Sequence, residues 1–166
     1  KGKKGKGNNY YLNFGVFGMH QILALSCPTD TQIVLDSGAT TTAGGGDAVD
    51  RLVAGVMAAF DQAKVEVNAD DRPWFKFANG EWGHALSKVW LYAPIGWLGI
   101  YLLDAEEVPV LAGVDWLDNH DLSFRNNTLD IYGSLTQGSE AATTTVKLRR
   151  GNGGHRLLDV LKTPGR

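Results

Sequence analysis

Apolar residues in this chain come mostly in short runs that end at glycine, proline or an Asn-Gly pair. Gln21 to Ser26, Gln32 to Leu35, Trp74 to Phe77, Leu86 to Tyr92 and Ile95 to Leu103 are of this kind. Short apolar runs separated by turn formers read as strands. The 21 glycines among 166 residues supply tight corners. A mostly β fold is therefore expected in place of a helical bundle. One segment breaks the pattern. Asp47 reads as an N-cap, and from Ala48 to Lys64 the residues Val49, Leu52, Val53, Val56, Met57 and Phe60 share one face at helical spacing.

The order of elements follows from the same signals. Gln21–Ser26 and Gln32–Leu35, on either side of a turn at Pro28-Thr29-Asp30, read as a hairpin. Val65 to Arg72 is polar and reads as irregular. Trp74–Phe77 leads into Ala78-Asn79-Gly80, and Asn-Gly is the strongest short hairpin signal. Leu86 to Tyr92 alternates, as a strand with two unlike faces would. Ile95 to Leu103, apolar around Gly96 and Gly99, reads as a buried strand pair with a tight corner. Val108–Gly113 is another apolar strand, Val114–Asn119 a short helix, and Leu122–Phe124 with Thr128–Tyr132 a last hairpin.

Composition narrows the classes of function. Hydrophobic residues make up 43% and charged residues 20%, enough for one core, and the net charge is −2. No overall basic field points to nucleic acid. Only the Lys- and Gly-rich start, residues 1–9, could touch it, and a solvated tail is the plainer reading. The lone Cys27 cannot close an internal disulfide, so a reducing compartment is compatible. No secretory signal is visible, and the longest apolar stretch, Pro94 to Leu103, is far short of the about 20 residues a membrane span needs. The missing initiator Met fits a segment cut from something longer.

The chemically informative feature is an apolar strand that runs straight into Asp36-Ser37-Gly38-Ala39-Thr40. Such a strand delivers the Asp36 carboxylate to the mouth of a loop. Gly38 permits backbone geometry that a side chain would obstruct, Ala39 leaves room for a substrate backbone, and Ser37 and Thr40 offer hydroxyls that can tie the loop down. One carboxylate there does little. Two within hydrogen-bond range cannot both ionise cheaply, so they share a proton: one then takes a proton from water while the other polarises a carbonyl.

Ile33 to Thr40 resembles the active-site segment of retropepsins, particularly those of gypsy-type LTR retrotransposons. Val110-Leu111-Ala112-Gly113-Val114-Asp115-Trp116-Leu117-Asp118-Asn119-His120 resembles their second signature, and Phe77-Ala78-Asn79-Gly80 is similar to the flap hairpin. The likeness runs from about Ile22 to Tyr132. It implies a closed, barrel-like retropepsin protomer with a short C-terminal helix and one inserted helix. It also implies that Asp36 is the catalytic aspartate of a proton-sharing pair, as in aspartic proteases generally. Ser37 would hold two active-site loops together across a dimer. Gly38 and Ala39 would floor the substrate cleft, Phe77, Ala78, Asn79 and Gly80 would bind substrate from the flap, and Gly113 would pack beneath the loop. The gap from Thr40 to Ala78 is longer than in compact retroviral enzymes, residue 112 is Ala where a larger apolar residue is common, and the flap lacks a multiple-glycine tip.

Asp-Ser/Thr-Gly occurs once, so a pair of carboxylates requires a second copy of the chain on a two-fold axis. The expectation is a homodimeric endopeptidase without cofactor or metal, acting on polypeptide, in the resemblance a retroelement's own polyprotein. It would work inside the cell, in the cytoplasm or a retroelement particle. Residues 1–9 would be a tail, 10–132 the protease domain and 133–166 a partly disordered C-terminal extension. The alternative is a retropepsin-like domain that dimerises and binds peptide without cutting it. Gly44-Gly45-Gly46-Asp47 is a poor phosphate site, lacking the Lys-Ser/Thr of a P-loop. His20, His84, His120 and His155 show no ligand spacing. The five tryptophans read as core or dimer surface, and Asn126-Asn127-Thr128 as a glycosylation acceptor of little weight without a secretory signal.

Overall fold

The computed structural model describes residues 10–12, 29–77, 80–104, 108–119, 122–125, 127–131, 144–150 and 155–162. Among them the chain is mostly β with two helices. In order the elements are β1 (Tyr10–Leu12), β2 (Gln32–Leu35), β3 (Ala43–Gly45), α1 (Gly46–Ala59), β4 (Lys64–Asn68), β5 (Trp74–Phe77) and β6 (Trp82–Ala93). There follow β7 (Gly96–Leu103), β8 (Leu111–Ala112), α2 (Val114–Asn119), β9 (Leu122–Arg125), β10 (Thr128–Ile131), β11 (Thr144–Lys147), β12 (Arg149–Arg150) and β13 (Arg156–Asp159).

Ten of these strands make one mixed sheet in the order β1-β5-β6-β7-β3-β8-β2-β13-β12, with β4 attached to β6, and β11-β10-β9 make a second. Among the described residues the large sheet is open, with β1 and β12 at its ends, and not the closed barrel expected from the sequence. Closure requires the two end strands to meet, and among the described strands each has one neighbour.

Strand β2 explains its own composition. All four residues are buried. Ile33 and Leu35 enter one apolar cluster with Val49, Leu52 and Val56 of α1. Val34 enters another, with Ala39, Phe75, Tyr101, Leu111 and Leu157. A strand covered on both faces needs an unbroken apolar run, and Ile33-Val34-Leu35 is one. Each fully buried aliphatic side chain contributes about 1.5–3 kcal/mol, so three of them on α1 fasten that helix firmly to the sheet.

Several local expectations change in the structure. The helix begins at Gly46 after an N-cap at Gly45, with Asp47 in its first turn and not at the cap. There its charge favours the helix dipole. The helix stops at Ala59 because Phe60 is extended, and Lys64 already belongs to β4. Lys64–Asn68, within a stretch that reads as irregular, pairs antiparallel with β6 along an exposed edge. Polar residues dominate there because the strand is exposed throughout. Residues 95–103 are not a strand pair. The corner lies at Pro94-Ile95-Gly96, where Gly96 has φ +109, a conformation side chains avoid, and β7 runs on from it as one strand. Alternation in β6 is as expected, with Ala85, Ser87, Val89, Leu91 and Ala93 buried. Helix α2 and the β9–β10 hairpin also form where the sequence puts them. Gln21–Ser26, expected as a hairpin arm, lies outside the described residues. Both edges of β2 are occupied, by β8 in parallel and β13 antiparallel. Thus residues 156–159, part of the stretch set aside as an extension, are built into the sheet beside Asp36.

Candidate active site

The chain leaves β2 at Asp36, loops through residues 37–42 and re-enters the sheet as β3 on the far side of β8. Strand β8 therefore ends beneath the arch of the loop. The Asp36 amide donates to the Ala112 carbonyl (3.0 Å), and the Val114 amide donates to the Ala39 carbonyl (2.8 Å). These two bonds clamp the loop to the end of β8 and the start of α2.

Gly113 sits at the crossing. A Cβ there would lie 2.6 Å from both the carbonyl carbon and oxygen of Thr41 and 2.8 Å from the Ala39 oxygen. Only glycine lets the two backbones approach so closely. Its amide donates to the Thr42 hydroxyl (3.1 Å).

Hydroxyls do tie the loop, those of Thr41 and Thr42 among them. Their Oγ1 atoms donate to the two carboxylate oxygens of Asp115, at 3.0 and 2.8 Å. Both threonines are buried. Thr40 and Ser37 are exposed. Asp115 is marked only faintly in the sequence, by following Gly113 by two residues in the second signature, and Thr41 and Thr42 are not marked at all. Hydrogen bonds to a charged group contribute about 1.5–3 kcal/mol each. Replacing Asp115 with Ala is expected to lower stability by about 2–4 kcal/mol, since it strands two buried hydroxyls. Denaturant unfolding of the variant measures this.

The Asp36 carboxylate is half-buried at the loop mouth, and its Oδ1 accepts from the Gly38 amide at 2.8 Å. Burial pushes its pKa above the ordinary 3.8, while the Gly38 amide, the positive charge of His155 and the Ala39 amide pull it back down. The outcome is a carboxyl group more willing to hold a proton than a surface aspartate. Ser37 and Gly38 beside it are exposed, and Ala39 is wholly buried.

Strands β5 and β6 form the expected hairpin, with Trp74 opposite His84 and Lys76 opposite Trp82. Phe77 ends β5, Ala78 and Asn79 lie outside the described residues, and Gly80 is exposed at φ +85 with open space where a Cβ would be. The hairpin is rooted near the loop: Phe75 of β5 and Ala39 belong to the same buried cluster. Four tryptophans, Trp74, Trp82, Trp90 and Trp97, are well exposed, on β5, β6 and β7, whereas Trp116 of α2 is core. The Gly45 amide donates to the Val108 carbonyl (2.9 Å), so it does not await an anion.

His84 stacks on Trp74, with ring centroids 3.4 Å apart, and the charge of His155 acts on Asp36. His20 and His120 fall outside the described residues. Among the described residues no three His, Cys, Asp or Glu side chains come together in the manner of a metal site, and no helix is long and apolar enough to cross a membrane. Comparison of the chain with protein-family models, with curated proteins and with solved structures finds no match.

Proposed function

We propose that the chain is an aspartic endopeptidase of the retropepsin type, active as a homodimer in which two Asp36 carboxylates share one proton. One observation carries this reading: a half-buried carboxylate, at the end of a fully buried strand, in a loop pinned from beneath by Gly113 and by the Asp115–threonine bonds. A group held so firmly, with its pKa raised by burial, suits proton transfer to or from water. Among the described residues no other carboxylate figures among the groups acting on Asp36. In this reading its partner is the Asp36 of a second copy, and exposed Ser37 and Gly38 offer the surface for the meeting.

In this reading the ionised member of the pair takes a proton from water, the protonated member polarises the scissile carbonyl, and the water oxygen attacks directly. No covalent intermediate forms. Extended peptide would lie across the two-fold axis between the loop floor at Gly38 and Ala39 and the hairpin of Phe77 to Gly80, bonded through its backbone. A retroelement polyprotein is the natural substrate in this reading, and the cytoplasm or a retroelement particle its place of action.

Incubation of the chain with an unfolded protein between pH 4 and 7, with and without pepstatin, tests it. Pepstatin-sensitive cleavage that falls steeply on dilution is the expected result. Peptide binding with no cleavage at any pH would replace the protease by a silent dimerisation domain.

A further inference from the structure

Asp36 follows the last residue of β2, and a second polar site lies at the first. A cavity of about 110 Å³ opens there, lined by Gln32 of β2, Leu157 and Asp159 of β13, and the cations Lys147, Arg149 and Lys162. The strand register gathers these residues independently of the cavity. Arg149 lies opposite Leu157, and Asp159 opposite Gln32. Residues opposite one another on paired strands project to the same side of a sheet, as do residues two apart on one strand. Arg149, Leu157, Asp159 and Gln32 therefore share a side. Lys147 precedes Arg149 by two residues, both exposed, with buried Leu148 between them. Lys162 follows β13 in a turn, its amide donating to the Asp159 carbonyl (3.1 Å), and its ammonium group reaches back to the Lys147 carbonyl (3.5 Å).

Three cations thus meet at one cavity, and among the described residues none of them forms an ion pair. The one carboxylate in the lining is engaged elsewhere: Asp159 Oδ1 accepts from the Thr31 hydroxyl (3.1 Å) and the Leu161 amide (3.0 Å). Like charges gathered without a counter-charge repel one another, and an anion among them turns repulsion into attraction. Gln32 supplies a second and separate observation. It is a polar residue only 6% exposed. Its Oε1 accepts from the Thr29 amide (3.4 Å), which fixes the way the carboxamide points. The Nε2 group, a donor, has no acceptor among the described residues and is left at the cavity wall. Buried donors are nearly always satisfied, and an oxygen of a bound anion would satisfy this one.

We propose that this cavity binds a phosphate group, neutralised by Lys147, Arg149 and Lys162 and accepting a hydrogen bond from the Gln32 carboxamide. A guanidinium forks onto two phosphate oxygens, and the two ammonium groups act as point charges beside it. The phosphate is either free or part of a polynucleotide backbone, and the site recognises what the two have in common. It stands apart from Asp36 and holds whether or not the chain cleaves peptides.

The nitrogen-15-labelled full-length chain is titrated with inorganic phosphate, and separately with a short single-stranded oligonucleotide, at constant ionic strength set by chloride. The readouts are the side-chain resonances of the Gln32 carboxamide and the Arg149 Nε–H. Both are expected to shift saturably with phosphate. In Arg149→Ala the affinity is expected to fall about tenfold or more, the loss of a hydrogen bond to a charged group. Gln32→Glu keeps an acceptor for the Thr29 amide but sets a carboxylate at the cavity wall, and it is expected to abolish the phosphate response. Lys64→Ala, on the exposed strand β4, is the control and is expected to bind as the parent does. A response to phosphate alone upholds the site with free phosphate as its ligand. Tighter binding of the oligonucleotide that is lost in Arg149→Ala upholds it with the polynucleotide backbone as ligand. No saturable shift with phosphate, or a phosphate affinity unchanged in Arg149→Ala, overturns the inference. Should Gln32→Glu fail to fold, Arg149→Ala and Lys147→Ala, both at exposed positions, decide between the same outcomes.

Discussion

Replacing Asp36 with Asn is expected to abolish cleavage, a loss of roughly 10⁴-fold or to background, while leaving the fold intact. Asparagine is close in shape and keeps an Oδ1 acceptor for the Gly38 amide, so the 2.8 Å bond that sets the loop survives. It cannot take a proton from water, and that is the step removed. The substitution also has a thermodynamic signature whose sign follows from burial. The folded-state pKa of Asp36 lies above its ordinary 3.8, so the folded chain binds more protons than the unfolded chain across that interval. Stability from the protonated form is fully present below about pH 3.8 and is lost as pH rises through the folded value. At pH 7 the parent chain carries a partly desolvated charge that Asp36→Asn lacks. The variant is expected to melt at higher temperature than the parent at pH 7, with the gap closing toward pH 3. Equal melting temperatures at both values would mean that burial does not strain this carboxylate. Residual cleavage insensitive to the substitution would move catalysis elsewhere.

Gly113→Ala is the second substitution expected to have a large effect, this time on the fold and the site together. The new methyl group would meet three backbone atoms of Thr41 and Ala39 at 2.6–2.8 Å. Backbone cannot rotate out of the way as a flexible side chain does. The loop must lift from β8, stretching the Val114-to-Ala39 bond and the Gly113-to-Thr42 bond. A cost of about 3 kcal/mol is expected, the upper part of the range for overpacking, together with loss of cleavage because the Asp36 loop is displaced. Gly46→Ala is the matching control. A Cβ at Gly46 meets nothing within 4 Å, so that variant is expected to fall within about 0.5 kcal/mol of the parent. Urea unfolding of both variants measures the difference. A Gly113→Ala chain as stable as the control would show that the crossing is looser than described.

Much of this architecture was legible in local sequence, and the divide between what was and was not has a physical cause. The unbroken Ile33-Val34-Leu35 run marks a strand covered on both faces, and β2 is one. The alternation of Leu86 to Tyr92 marks two unlike faces, and β6 has them. The glycine at 113 and the helix after it were legible because the close approach at Gly113 constrains a single residue type. Pairings between distant segments were not. The partner of β2 on its antiparallel edge comes from Arg156–Asp159, and nothing in those residues announces that register. The Asp115 bonds to Thr41 and Thr42 likewise span more than 70 residues. Strand β4 escaped notice for a different reason: as an exposed edge it has no core face, so its Lys64-Val65-Glu66-Val67-Asn68 pattern carries little hydrophobic signal. The open sheet could not have been read from any segment, because closure depends on where the end strands lie.

Whether two molecules bring their acids together is the point on which everything here turns, and the distance between Asp36 and its symmetry mate in a crystal structure of the assembled protein measures it. The expected result is a two-fold dimer with the facing carboxylate oxygens about 3 Å apart, close enough to share one proton. A dimer whose Asp36 side chains lie well apart would contradict it.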